Sequence, residues 1–320
     1  MKHVLFLLFI GVIVVSCKKE QKLEAEIAAI DSQVNVERFD ALFAKVTPET
    51  LPDLKNAYPF MFSEKFPDSF WIAKTTDTLE TQIFKEVNKT FNDFSKTSTE
   101  IASLFNHLKY YFPSFKQPRV ITTTSDVDYR NKVIVTDTIA LIALDNYLGS
   151  DHEFYQSIPV YIRNNMNKDQ IVVDMASEYA TKFIYERTQN TFLDKIIYYG
   201  KQLYFKDVVL PFKTEAARIS YSQEQLDWAK ANESYIWRYF VERELLYSTD
   251  SKLDGRFITP APFSKFYLEG IDSESPGRLG PYIGWQIVKA YMEHNTITIN
   301  EMLDKSAEEI FNNSKFKPRK

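Results

Sequence analysis

The sequence predicts an α+β fold, mainly α, in which a helical body carries a small inserted β-sheet. Helix-start signals recur along most of the chain, and the apolar residues after them return every three or four positions. One window, residues 119–148, breaks that rhythm with short β-branched runs.

Ile83, Val87, Phe91 and Phe94 form a first stripe at helical spacing. Thr97 with Glu100 three residues on reads as a capping box, in which each side chain satisfies a free N–H of the first turn. Ile101, Leu104, Phe105, Leu108 and Phe112 continue as a core-facing stripe. Three strands are predicted next: residues 119–124, residues 132–136 after a polar turn, and an apolar run over residues 138–144 bounded by Asp145-Asn146 and Gly149. Helices resume at Asn167, a cap with Gln170 three residues on, and run to about Arg187. Further helices are predicted over residues 191–209, 222–247 (Ser222 with Gln225), 281–294 and 298–312 (Thr298 with Glu301).

The amino terminus has a different character. Lys2 is followed by an apolar run over residues 4–15, interrupted only by Gly11. A membrane-spanning helix needs about 20 apolar residues, so this run has the length of a signal-peptide core. It closes on Val14-Val15-Ser16-Cys17, which resembles a lipobox with Val in place of the usual leading Leu. Residues 1–16 are therefore expected to be a lipoprotein signal peptide, with Cys17, the single cysteine, acylated and held in membrane lipid. Residues 17–33 are the lipidated end and a charged, Ala-rich segment, either a solvated tether or a short helix. Residues 34–320 are expected to form one globular domain, lipid-anchored at the cell envelope outside the cytoplasm, in the inner or the outer membrane. Without a second thiol, that body folds with no intrachain disulfide.

Loss of Lys2 with the signal takes the formal charge from −4 to −5, and the pI is near 5.7, so no nucleic-acid partner is implied. With 25 Phe and 19 Tyr, the chain has ample apolar mass for a core. Three of its 8 glycines fall in the run Ser275-Pro276-Gly277-Arg278-Leu279-Gly280-Pro281-Tyr282-Ile283-Gly284-Trp285. Gly277, Arg278 and Gly280, just before a Pro-started helix, read in two ways. Either the helix opening and Arg278 bind an anion, or the run is a tight turn followed by close helix packing.

The sequence carries no positive catalytic signature. His3 leaves with the signal, and His107, His152 and His294 are far apart in sequence. Zinc hydrolysis of the HExxH kind needs two imidazoles at i, i+4 with a Glu between them to activate water. There is no GxSxG elbow and no P-loop. No cofactor and no metal is expected.

Ser275-Pro276-Gly277-Arg278-Leu279-Gly280-Pro281-Tyr282 and the residues on to His294 resemble the gliding-motility lipoprotein GldB family of the Bacteroidetes. So do RFDALFAKVTPETLPDLKNAYPFMF over residues 38–62, ALDNYL over 143–148, IPVYIR over 158–163 and YGKQLYFKDVVLP over 199–211. The resemblance implies a non-enzymatic envelope lipoprotein that supports the gliding machinery, with other gliding or secretion proteins as partners.

That family is itself distantly similar to predicted zinc peptidases, which implies a degenerate zincin-like architecture. On that order Asp174 and Glu178 stand where the two His would be, and Met175 stands where the water-activating Glu would be. The third-ligand region falls at Tyr199-Gly200-Lys201, without a carboxylate. A methionine takes no proton, so a general base is missing. Like charges at i, i+4 repel, so Asp174 and Glu178 bind a cation, share a proton or face water; Lys182 is the expected helical partner of Glu178. A cleft near Asp174, Glu178 and the Gly277–Gly284 turn would then serve a protein partner. The alternative is a divergent metal-dependent hydrolase of envelope peptides or peptidoglycan.

Overall fold

A computed structural model describes residues 21–185, 190–268 and 270–320. Cys17 and the signal segment lie outside the described residues. The architecture is α+β and mainly α, as the sequence predicts.

The sheet has four strands, one more than expected: β1 Val36–Arg38, β2 Arg119–Thr123, β3 Val133–Val135 and β4 Ile139–Ala143, in the order β1-β2-β4-β3. β1 and β4 run parallel to β2, and β3 closes the edge antiparallel to β4. Helices cover both faces, which is why the strands read as continuous apolar runs rather than alternating ones. Val120, Ala140 and Ile142 face the main helical core. Ile121, Ile139 and Leu141 face a second cluster of Phe39, Phe43, Leu51, Tyr58 and Phe62.

The principal helices are α1 Thr78–Thr90, α2 Ser95–Tyr111, α3 Ile171–Phe183, α4 Phe192–Val209, α5 Gln223–Ala231, α6 Glu233–Glu242, α7 Leu279–His294, α8 Ile299–Asp304 and α9 Ala307–Ser314. The predicted stripes are buried: Ile101, Leu104, Phe105 and Leu108 are fully enclosed. Capping boxes form at Thr191 with Asp194, Ser222 with Gln225, and Thr298 with Glu301.

Several boundaries differ from expectation. Thr97 is not a cap but a buried residue inside α2; the cap position is Phe94, three residues earlier, and the Asp93 carboxylate just ahead of it accepts the Ser95 N–H at 2.9 Å. The helix predicted over residues 222–247 divides at Asn232, whose side chain donates to the Trp228 carbonyl at 2.9 Å and ends α5. That predicted over 298–312 divides at Lys305, after which Ser306 caps α9 by accepting from the Glu309 N–H. α3 ends at Phe183; Arg187 lies outside the described residues. In the charged amino-terminal segment, residues 21–28 are helical, Ile27 is buried, and Glu24 reaches His107 at 3.3 Å.

α4 and α7 cross with their backbones in direct contact. A Cβ on Gly284 would overlap the Ile196 carbonyl, and one on Gly200 would overlap the Gly284 backbone. The same contact sets the first turn of α7, capped by Arg278, against Ile196 of α4.

Candidate functional site

α3 is entered through a short 3-10 turn, Lys168–Gln170, capped by Asn167, whose side chain accepts the Asp169 N–H at 3.1 Å. This entry rotates Asp174, Ser177 and Glu178 onto one face and sends Val173 and Met175 into the core. Asp174 forms an ion pair with Lys132 at 2.5 Å and accepts a hydrogen bond from the Tyr147 hydroxyl at 2.8 Å. The Lys132 amine also lies 5.5 Å from the centre of the Tyr147 ring. Tyr147 is fully buried, and burial together with the Asp174 charge raises its phenol well above the ordinary value. Asp174 is therefore a partnered carboxylate that joins α3 to the β3 edge.

Glu178 is exposed one turn on. Partial desolvation raises its carboxyl, the Asp174 charge adds to this, and Lys132 opposes it. Lys182 does not serve Glu178, as its position suggested; it pairs with Asp137 at 2.5 Å across the surface. Met175 is fully buried, on a different side of the helix from the two carboxylates.

Beneath this face lies a residue that the sequence reading missed. Lys206 of α4 is buried and donates to the Ser177 hydroxyl oxygen at 3.1 Å. Burial lowers its amine to about 7; the nearby Arg278 charge acts in the same direction, while Asp174 and Asp207 oppose it. The signal in sequence was a lysine three residues after Leu203 and three before Val209, on the apolar face of α4.

The glycine-rich turn contributes in two separate ways. Gly280 is buried in the first turn of α7, and a Cβ there would come within 2.9 Å of the Phe257 carbonyl oxygen. It lets α7 sit close to its neighbours. The first free N–H of α7, on Leu279, is directed at the Ser264 hydroxyl at 3.4 Å, and Pro281 has no N–H to offer. Gly277 fits against the Ala261 backbone, and its carbonyl accepts the Tyr221 hydroxyl. Arg278 takes the left-handed conformation (φ 61°) as the cap residue and donates to the Ile219 carbonyl at 3.1 Å. Burial lowers its guanidinium pKa, with the Tyr221 and Tyr199 hydroxyls acting the other way.

The structure brings Asp174, Gly277 and Arg278 to one cavity of about 760 Å³, whereas Glu178, Met175 and Gly280 do not line it. Its walls are the loop around Asn164 and Asn165, the segment from Thr214 to Gln225, and Pro260-Ala261. Among the described residues no group of three His, Cys, Asp or Glu is arranged to hold a metal ion.

The family model described as gliding motility protein GldB matches residues 20–318. The chain belongs to the GldB family. No curated protein and no solved structure matches. The GldB match covers every element described above, from the helix at residues 21–28 to α9. Membership indicates a role in gliding motility, and the family's designation as a lipoprotein agrees with an envelope protein. Among the described residues no helix is long and apolar enough to cross a membrane.

Proposed function

We propose that this GldB chain is held at a membrane by lipid on Cys17 and supports the gliding machinery through protein contacts, without catalysis of its own. The observation that carries the motility reading is the family match across residues 20–318. The non-enzymatic reading is supported by the motif helix, where the position of a water-activating Glu is the buried Met175. Asp174, in a ligand position of the zincin-like order, is already engaged by Lys132 and Tyr147. The cavity that joins Asp174 to Arg278 is the surface we assign to a partner. Its volume lies within the ~300–1,000 Å³ of ordinary ligand clefts.

The competing reading, a divergent metal-dependent hydrolase of envelope peptides or peptidoglycan, draws on the two carboxylates at i, i+4 on one helix face. Metal analysis of the full-length protein, purified in detergent, separates the two. The proposal expects no stoichiometric zinc. One zinc per chain, lost on Asp174→Ala or Glu178→Ala, would establish the hydrolase reading instead. For the motility role itself, deletion of the gene should abolish colony spreading, and the wild-type gene should restore it.

A further inference from the structure

We propose that the cavity headed by Arg278 binds the carboxylate of a peptide segment from a partner protein. The inference rests on the contact-based function above and gives that contact a chemistry. Three formally charged side chains line the cavity: Lys132, Asp174 and Arg278. The first two neutralise each other in an ion pair. Among the described residues Arg278 has no carboxylate partner, and its one hydrogen bond goes to a neutral backbone carbonyl. The cavity therefore keeps one positive charge, on a group whose planar fork matches a carboxylate.

The rest of the wall suits a peptide. Asn164, Asn165, Gln223 and Gln225 offer both donors and acceptors, as a peptide backbone does, and Tyr161 and Tyr221 supply apolar surface. Gln170 is buried at the wall, and its side-chain carbonyl oxygen has no donor. Buried acceptors are rarely left unpaired. A small turn of this amide toward the cavity would present it to a ligand N–H. The volume admits the end of a chain or a single loop, not a folded domain.

The test uses the full-length protein in detergent micelles and mixed-sequence acetylated tetrapeptides, followed by calorimetry. One pool ends in a free carboxylate, a second is the same pool amidated, and a third is amidated but carries Glu at one internal position. Binding of the first or third pool at least about tenfold tighter than the second supports the inference, and shows which carboxylate is read. Arg278→Gln should remove that preference. Ala217→Trp narrows the cavity from its wall while keeping the Arg278 guanidinium, and should abolish binding even where Arg278→Gln perturbs the fold. Equal binding of charged and neutral pools, no binding of any pool, or preferential binding of a neutral peptidoglycan disaccharide would overturn it. Failure here with spreading still dependent on the gene removes the cavity inference alone. A deletion strain that still spreads removes the motility reading and leaves carboxylate binding measurable.

Discussion

Lys206 carries an amine into the interior between α3 and α4, where one neutral hydroxyl oxygen accepts from it. Its folded-state pKa, near 7, lies below the ordinary 10.5. Between those values the unfolded chain binds the extra proton, so this residue makes stability rise with pH across that window. Below pH 7 both states are protonated and the penalty is complete. Lys206→Met should therefore raise stability near neutral pH by a few kcal/mol, on the order of 1.4 per pKa unit. The gain should shrink toward pH 10, as read by thermal unfolding at several pH values. An unchanged pH slope would show that the amine is solvated. Lys132 makes the opposite case. Lys132→Ala leaves the Asp174 carboxylate beside Glu178 without its cation, and should cost about 1–3 kcal/mol in chemical unfolding. Asp174 and Arg278 could be singled out from sequence because they sit in recognisable runs. Lys132, Tyr147 and Lys206 could not, since only tertiary contact brings their distant segments to α3.

At the level of elements, the fold depends on the α4–α7 crossing. Gly200 and Gly284 meet there backbone to backbone, and a methyl group on Gly284 has no flexible side chain to displace. Gly284→Ala should therefore lower stability by about 3 kcal/mol or more, in the range of severe overpacking. A loss under 1 kcal/mol in denaturant titration would mean the two helices separate easily. The glycines were conspicuous in sequence, but their partner helix was not. The same limit explains the missed strand. β1 is three residues, Val36-Glu37-Arg38, too short for a period-2 signal, and it exists because β2 offers it an edge. Helix existence was legible from stripes and capping boxes, while breaks at Asn232 and Lys305 were not, because the apolar periodicity runs on through them.

For the whole molecule, the amino-terminal approach to the body is packed. Ile27 is buried and Glu24 meets His107, so any leash toward the membrane is shorter than the charged segment suggested. An anchor at the proposed Cys17 site would then hold the body close to the bilayer and limit which partners could reach the cavity proposed at Arg278. On the proposed function, motility needs this chain on a membrane. Colony spreading of a deletion strain that expresses Cys17→Ala at normal levels tests it most directly. The expected result is a soluble envelope protein and no spreading; full spreading from that soluble protein would overturn the need for the anchor.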